Sequence, residues 1–414
     1  MNLPFSFVSR TKDSDEVYCI AGRRHGRLPV DELGGKTPLE AARTANMDFM
    51  AKEGTLGLVD TIPKGFKPGS DVANLTVLGY DPGSCYSGRG PLEAANMGIH
   101  LDSQDVAFRC NLVALGRGDD PIMDDFSAGH ITSAEAAAII GDLGRELGNK
   151  VFQFYPGVSY RHLLVWRRGK ETMVTTPPHD ITGQTTNGYL PRGEGAAEIQ
   201  SLMKEAKVVL ENHPVNIERI SRGKKPANAI WLWGQGRAPR MEKLTDRYHI
   251  TGGIISAVDL LNGIGVYAGL RPIHVEGATG YTDTNYVGKA QKALAALKDL
   301  DFVFVHVEAP DEMGHEGNLA GKVKAIEDFD EKVVGTVLKG ISELGDVRVM
   351  VLSDHPTPLS IRTHASDPSP FAIYSSLPGE NRRSGLSYGE TMAKTSGFIV
   401  TPGHNLMELF IKRQ

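Results

Sequence analysis

Short apolar runs alternate with longer segments of helical periodicity along most of the chain. Five runs are typical of buried strands, namely LGLVD, AIWLW, FVFVHVE, VRVMVLSD and FAIYS. Three segments predict helices, namely TSAEAAAIIGDLGREL, IISAVDLLNGIG and YVGKAQKALAALKDL. This alternation predicts an α/β fold with a largely parallel sheet. In such sheets the functional residues gather in loops at the carboxyl ends of the strands.

The chain of 414 residues is too long for one compact core, so we expect two domains. The middle of the chain, residues 84–245, is richer in Arg, Pro and Gly and contains TTPPHDITGQTTNGYLPRGEG. We interpret it as a smaller domain inserted into a discontinuous one made of residues 1–83 and 246–414. The polar stretch GQGRAPRMEKLTDRYH would be the linker that returns to the first domain.

Composition and charge narrow the class of protein. The net charge of −5 gives no electrostatic case for binding nucleic acid or an anionic membrane. Three cysteines make neither a disulfide framework nor a zinc spacing, which fits a reducing compartment. No apolar run approaches the roughly 20 residues of a membrane span, and the first residues make a poor signal peptide. We therefore expect a cytoplasmic protein with neither a membrane nor a nucleic-acid partner.

Two predicted strands end in clusters of metal-ligand type. Asp311 and His315 follow FVFVHVE at a spacing of i, i+4, so a helix there would place both on one face. Asp354 and His355 end VRVMVLSD directly, and His364 follows nine residues later. Two carboxylates and three imidazoles suit Mn²⁺ or Zn²⁺ better than Ca²⁺. The set contains no thiolate, which argues against a structural zinc site.

Ser70 allows two interpretations. It follows Pro-Gly and precedes a helical pattern, and serine is among the best N-cap residues. Alternatively, it is a nucleophile at a helix N-terminus, where the dipole favours an anion and a bound metal would lower the pKa of the hydroxyl. The stretch PGSD taken alone favours the cap.

The inserted region carries candidate ligands for an oxyanion. Glycine beside arginine suits a guanidinium fork supported by backbone N–H groups. Each of these side chains taken singly is more often a solvated charge. The candidates are His130, Arg161 with His162, Arg237 and Arg240, and Glu93 and Lys289 in weaker context.

Several long motifs together resemble the archaeal type of cofactor-independent phosphoglycerate mutases, in the alkaline phosphatase superfamily. They are ELGGKTPLEAARTANMD, PGSDVANLTVLGYDP, GRGPLEAANMG, DVAFRCNL, GHIT, FYPGVSYRHLLVW, VEAPDEMGHEG and SDHPTP. The resemblance extends from about Pro29 to the C-terminus. It implies an alkaline-phosphatase-like, mostly parallel sheet flanked by helices, with an inserted smaller domain. It also implies two divalent ions, expected to be Mn²⁺ with Mg²⁺, Co²⁺ or Zn²⁺ as alternatives, and no 2,3-bisphosphoglycerate.

The resemblance also implies roles for individual residues. Ser70 matches the serine that is transiently phosphorylated while 3-phosphoglycerate and 2-phosphoglycerate interconvert. One metal would be held by Asp311, His315 and His364, and the other by Asp354 and His355 together with the serine oxygen. The match is looser for the residues that would clamp the small phosphorylated substrate, which are His130, Arg161, Arg237 and Arg240. Water must be excluded, or the phosphoserine would hydrolyse.

Two alternatives remain open at this point. The stretches YPGVSYRHLLVW, PPHDITG and WLWGQG are similar to a bacterial subgroup proposed to act as homoserine kinases, although the chain has no G-x-x-x-x-G-K-[ST] loop. The other alternative is a binding protein without catalysis, which only the basic group Arg23, Arg24, His25 and Arg27 supports.

Arg23 occupies an unexpected position. The resemblance implies a first strand that ends in a metal-binding aspartate, in a pattern like G-D-G-M-A-D-Y-P, and counting back from Pro29 places that aspartate at Arg23. A guanidinium cannot ligate a cation, so the chain would be an impaired homologue. Synonymous codons for Asp15–Leu28, read one base forward, give M-K-Y-I-V-L-L-G-D-G-M-A-D. Our hypothesis is that residues 1–28 are an out-of-frame reading.

Overall fold

The computed structural model describes residues 30–377 and 379–412 in full, and the backbone of residues 4–11 and 15–22. The chain forms two compact units. The first combines Met1–Tyr86 with Arg240–Gln414, and the second is Ser87–Pro239. The sequence analysis placed these two boundaries at 83/84 and 245/246. Arg23 and the basic group around it lie outside the described residues.

The strands and helices follow one another as the alternating pattern predicts. The strands are β1 Pro4–Thr11, β2 Asp15–Gly22, β3 Thr55–Val59, β4 Val106–Leu115, β5 Met123–Asp125, β6 Phe152–Val158, β7 Arg161–Trp166, β8 Ala229–Gly236, β9 Gly252–Ile255, β10 Arg271–Pro272, β11 Phe302–Val305, β12 Asp346–Leu352, β13 Ser369–Ser375 and β14 Ile399–Val400. The α-helices are α1 Pro38–Ala41, α2 Ala45–Glu53, α3 Ser70–Val77, α4 Pro82–Cys85, α5 Arg89–Asn96, α6 Ser133–Glu146, α7 Ala196–Glu211, α8 Pro214–Ser221, α9 Leu244–Tyr248, α10 Asp259–Tyr267, α11 Tyr286–Ala296, α12 Ala309–Glu316, α13 Leu319–Phe329, α14 Gly335–Gly340, α15 Glu390–Thr395 and α16 Asn405–Ile411.

The first unit is built on a mostly parallel sheet with the strand order β10-β9-β11-β2-β12-β13-β3-β14. Only β13 runs against its neighbours on this path, and β1 adds antiparallel to β2. Both faces of the sheet are covered. Ile254 of β9 faces Gly265 of α10, whereas its neighbour Ile255 belongs to the core formed with α11 and α13. Because β2, β3, β9, β11 and β12 run in one direction, their carboxyl ends lie at the same edge.

The second unit is an antiparallel sheet of five strands with helices packed on it. Strand β4 lies between β7 and β8, and its apolar residues form one core with α6 and α7. Helix α6 begins where the sequence predicts, because Thr132 and Glu135 form a reciprocal capping box. The inserted unit is therefore of the α+β type.

The predicted α/β fold with a largely parallel sheet is confirmed, as are the five strands predicted from apolar runs. The helix predicted over IISAVDLLNGIG is wrong in its first half. The residues Gly252–Ile255 form β9, and only Asp259–Tyr267 is helical. The reason is tertiary, since β9 completes the ladder between β10 and β11. A short apolar run by itself does not distinguish a buried strand from the start of a helix.

No α-helix among the described residues is long and apolar enough to cross a membrane.

Candidate active site and metal centre

Ser70 is the first residue of helix α3, and Gly69, not Ser70, occupies the N-cap position. The serine side chain is therefore not used as a cap. It is almost buried, and its Oγ lies 3.0 Å from Nε2 of His355. This position places the hydroxyl at the positive end of the helix dipole, where an anion is favoured. The geometry is compatible with the second interpretation of PGSD, and the role of Ser70 as a nucleophile stays a prediction.

Asp311 and His315 lie on one face of helix α12, as their spacing predicts. Oδ2 of Asp311 lies 3.4 Å from Nε2 of His315 and 3.7 Å from Nε2 of His364. The two Nε2 atoms of these histidines are only 3.0 Å apart. Residues 49 positions apart in the sequence therefore converge on one point.

Hydrogen bonds on the outer side fix the orientation of both histidines. Nδ1 of His315 lies 2.9 Å from the carbonyl oxygen of Arg362, and Nδ1 of His364 lies 3.4 Å from that of Pro68. A carbonyl oxygen can only accept, so each Nδ1 donates and each neutral ring presents the lone pair of Nε2 inward. Two lone pairs that face each other at 3.0 Å repel unless a proton or a cation lies between them. This arrangement is typical of metal-binding histidines, so the residues fit a divalent cation.

Asp354 and His355, both fully buried, extend the cluster toward Ser70. Ligand atoms of Asp311, His355 and His364 lie within 4.8 Å of one another, and the rings of His355 and His364 are 3.9 Å apart. Asp354 Oδ2 lies 3.4 Å from Nε2 of His355. The five ligand candidates thus form one continuous group, in which His355 is shared between the serine side and the Asp311 side.

Asn74 holds Asp354 and the serine helix together, a role the sequence analysis missed. Its Nδ2 donates to Oδ2 of Asp354 at 3.1 Å and to the carbonyl oxygen of Ser70 at 2.5 Å. The side chain is fully buried in α3. An asparagine one helical turn after the candidate serine was the available signal, because it lies on the same face.

A second buried polar group lies at the start of α12. Lys289 donates from Nζ to the carbonyl oxygen of His306 at 2.9 Å, and Nε2 of His306 lies 3.3 Å from Oε2 of Glu308. Burial lowers the pKa of Lys289 to about 8, although Glu308 partly offsets this. Lys289, a weak candidate from sequence, thus contacts the backbone just before the helix that carries Asp311.

Three arginines come together in the second unit. Arg109, 8% exposed on strand β4, forms an ion pair with Glu93 at 3.0 Å and lies over the ring of Trp233. Burial, together with repulsion from Arg89 and Arg161, lowers the pKa of Arg109 despite the attraction of Glu93. Glu93 was only a weak candidate from its sequence context, and Arg109 was not among the candidates. A lone arginine within the apolar run VAFRCNLVAL was the available signal.

The four predicted clamp residues have different surroundings. His130 and Arg161 both lie near the ring of Tyr160. Arg237 instead pairs with Glu171 at 2.9 Å and donates to the carbonyl oxygens of Ser103 and Gly169. Arg240 is exposed and begins the second segment of the first unit. The structure therefore groups His130 with Arg161, while these contacts of Arg237 belong to a different part of the second unit.

His162 is a core residue. It is 1% exposed, and its Nδ1 accepts a hydrogen bond from the backbone N–H of Gly157 at 3.0 Å. Burial lowers the pKa of His162 to about 4. The neighbour of Arg161 is consequently neutral at physiological pH and part of the packing of β7.

A mostly parallel sheet whose carboxyl edge carries a serine and a cluster of N and O ligand candidates places the chain among α/β proteins with the arrangement typical of an enzyme. The chain belongs to the 2,3-bisphosphoglycerate-independent phosphoglycerate mutase family. The model of that family matches residues 51–216. A protein from Methanosarcina barkeri, described as a 2,3-bisphosphoglycerate-independent phosphoglycerate mutase, is 52% identical over 387 residues, covering 93% of this chain and 96% of the relative.

Solved structures agree with this assignment. A protein from Pyrococcus horikoshii is 31% identical with a TM-score of 0.78, covering 94% of this chain and 95% of that one. A cofactor-independent phosphoglycerate mutase from Thermoplasma acidophilum is 25% identical with a TM-score of 0.61, covering 93% and 96%. The resemblance stated from the sequence motifs is confirmed.

Proposed function

We propose that the protein is an isomerase that interconverts 3-phosphoglycerate and 2-phosphoglycerate through a phosphoserine at Ser70. The observation that carries the proposal is the contact of 3.0 Å between Ser70 Oγ and His355 Nε2, beside the inward-facing histidines of the metal centre. The family membership supports the same reaction. Relatives that are 52% and 50% identical to this chain are described as phosphoglycerate mutases. Their descriptions do not favour the homoserine kinase alternative.

The proposed reaction consists of two transfers of one phosphoryl group. The hydroxyl of Ser70 loses its proton and its Oγ forms a bond to phosphorus while the bond from phosphorus to the C3 oxygen breaks. The released oxygen takes up a proton and becomes the C3 hydroxyl of glycerate. The C2 hydroxyl then attacks the same phosphorus and loses its proton, and the serine oxygen is released and reprotonated. Bound divalent cations would neutralise the phosphoryl oxygens and favour the ionised serine. Nε2 of His355 lies 3.0 Å from Oγ, so an ion held by His355 would lie beside the serine oxygen.

For the metal centre, we propose two ions with Mn²⁺ as the native metal. Asp311, His315 and His364 would hold one ion, and Asp354 and His355 the other together with Ser70 Oγ. The tautomers fixed by Arg362 and Pro68 support the first set. The mixture of imidazole and carboxylate ligands supports Mn²⁺ over Ca²⁺.

For substrate binding, we propose that basic side chains hold the carboxylate or the phosphate of the substrate. Arg161 and His130 are the principal candidates, with Arg237 and Arg240 carried over from the sequence motifs. The repulsion among Arg89, Arg109 and Arg161 supports this proposal, because it would be relieved by a bound anion.

The free and buried thiols of Cys85 and Cys110 support a reducing compartment, and we propose the cytoplasm.

The test is turnover of 3-phosphoglycerate with Mn²⁺ and without 2,3-bisphosphoglycerate, compared with homoserine plus ATP. Ser70→Ala should abolish the mutase activity, and mass spectrometry of a quenched reaction should detect phosphate on Ser70 of the unchanged enzyme. Ser342→Ala is the matched control, because Ser342 is exposed and its hydroxyl bonds only locally to the Lys339 carbonyl oxygen. Normal turnover by Ser70→Ala would refute the assignment, and phosphorylation of homoserine would favour the kinase.

A further inference from the structure

The two oxygens of Asp311 have different surroundings. Oδ1 accepts a hydrogen bond of 2.7 Å from the hydroxyl of Thr357, and Oδ2 faces His315 and His364. Asp311 and Thr357 are both buried, at 2% and 0% exposure. A carboxylate tied through one oxygen can rotate little, so the hydroxyl of Thr357 determines which oxygen points toward the two histidines.

Thr357 is itself held in place by a buried lysine. Nζ of Lys322, on helix α13, donates to the carbonyl oxygen of Thr357 at 2.6 Å, and Lys322 is 0% exposed. Its ammonium group passes directly against α12. A Cβ on Gly314 would lie 2.1 Å from this Nζ and 2.8 Å from the Thr357 oxygen. The absence of a side chain at Gly314 is therefore what lets Lys322 reach the loop that follows β12.

We propose that Thr357, supported by Lys322, is a positioning residue that presents Oδ2 of Asp311 to a single divalent cation shared with His315 and His364. This inference rests on the metal centre in the proposed function and deepens it. Without the hydroxyl, Asp311 loses the hydrogen bond that holds Oδ1, and the orientation of its carboxylate is less constrained. The affinity and the coordination geometry of the ion then change, even though every ligand remains. Hydrogen bonds to metal-ligating groups typically contribute 10- to 100-fold to metal affinity.

The direct test compares Thr357→Val, which removes only the hydroxyl, with Thr357→Ser, which keeps it. Mn²⁺ affinity of the metal-free protein is measured by titration calorimetry, and the Co²⁺-loaded protein is examined by visible absorption. Thr357→Val should weaken the Asp311 site by about 10-fold or more and alter the Co²⁺ spectrum. Thr357→Ser should keep the Mn²⁺ affinity and the Co²⁺ spectrum close to those of the wild-type protein.

Two further variants complete the test, one as a control for the loss of a buried threonine hydroxyl elsewhere and one as a substitute for Thr357→Val. Thr76 is also fully buried in the same unit, and its hydroxyl donates to the carbonyl oxygen of Val72 within α3. Thr76→Val should therefore leave the Co²⁺ spectrum unchanged. If Thr357→Val does not fold, Lys322→Met gives the same measurement, and it should weaken Mn²⁺ binding in the same direction.

The possible outcomes are distinguishable. If Thr357→Val binds Mn²⁺ with wild-type affinity and has an unchanged Co²⁺ spectrum, the inference about Thr357 is overturned and the proposed function is unaffected. If Thr357→Val does not fold, the same result in Lys322→Met has the same meaning. A wild-type protein that binds the cation but does not turn over 3-phosphoglycerate would overturn the proposed function and leave the role of Thr357 standing. A wild-type protein that binds no divalent cation would overturn both.

Discussion

Ser70 lies one position further into helix α3 than its sequence context suggests, and this shift changes what its hydroxyl can contact. As an N-cap its oxygen would accept a backbone hydrogen bond within the helix. As the first helical residue it leaves that position to Gly69 and faces His355. A one-residue shift at a helix start cannot be read from a local pattern, because Pro-Gly-Ser-Asp allows both.

His162 gives a pH prediction at the residue scale. Its pKa is about 4 in the folded protein and about 6.5 when unfolded, so the folded state excludes a proton that the unfolded state binds. The stabilising contribution is complete above pH 6.5 and is lost as the pH falls toward 4. In this window the free energy of unfolding of the second unit should fall by about 1.4 kcal/mol per pH unit on account of His162.

His162→Asn keeps an acceptor for the Gly157 N–H and removes the titration. Urea unfolding from pH 7 to pH 4.5, followed by tryptophan fluorescence, should show a flatter pH dependence. All three tryptophans, Trp166, Trp231 and Trp233, lie in the second unit, so the signal is local. The exposed His100 provides the control as His100→Asn. An unchanged slope in His162→Asn would contradict the prediction.

At the scale of the element, helix α12 contains a glycine of low helix propensity, Gly314, at the position where Lys322 and Thr357 contact the helix. Alanine normally stabilises a helix relative to glycine by up to about 1 kcal/mol. At Gly314 the reverse is expected, since the new methyl would overlap Lys322 Nζ and the Thr357 oxygen. Gly314→Ala should lower the free energy of unfolding by about 1–3 kcal/mol.

Gly141 in helix α6 provides the matched comparison. A Cβ added at Gly141 would have Nη1 of Arg145 as its nearest atom, at 3.7 Å, so a methyl group fits there. Gly141→Ala should stabilise the second unit by up to about 1 kcal/mol, opposite in sign to Gly314→Ala. Urea unfolding followed by circular dichroism measures both. If both substitutions changed the free energy of unfolding by the same amount and in the same direction, the contact with Lys322 would not be the reason for glycine at position 314.

At the scale of the whole molecule, strand β2 lies between β11 and β12 and runs parallel to both. Its last residue, Gly22, is therefore at the edge that carries the candidate metal centre. The next residue in the sequence is Arg23, the position to which the resemblance assigns a metal-binding aspartate. The hypothesis of an out-of-frame reading of residues 1–28 follows from this mismatch and stays a prediction.

Replacing residues 1–28 by M-K-Y-I-V-L-L-G-D-G-M-A-D-Y should raise both the divalent ion content and the turnover of 3-phosphoglycerate. The physical reason is that a carboxylate would replace a guanidinium at the position to which the resemblance assigns a metal ligand. A guanidinium cannot ligate a cation and repels it. Metal analysis of both proteins is the measurement, with Arg23→Asp as an intermediate variant. Equal ion content and activity would contradict the hypothesis, and resequencing the DNA tests it independently.

Elements with strong local signals could be predicted from the amino-acid sequence without the fold. Apolar runs predicted β3, β11 and β12, because strands that are buried on both faces consist mostly of apolar residues. The spacing of Asp311 and His315 predicted their common helix face. The helical pattern of TSAEAAAIIGDLGREL predicted α6, which starts directly after its capping residue Thr132. These signals act within a few residues, where sterics and periodicity decide the outcome.

Contacts between distant segments, in contrast, required the tertiary fold. Ile254 and Ile255 became a strand because two neighbouring strands pair with them. Thr357 and Asp311 are 46 positions apart, and Asn74 and Asp354 are 280 apart. No local pattern encodes such pairs, since they depend on how helices and strands pack around one sheet. For this reason the candidate ligands could be named from the sequence, whereas the residues that hydrogen-bond to them could not.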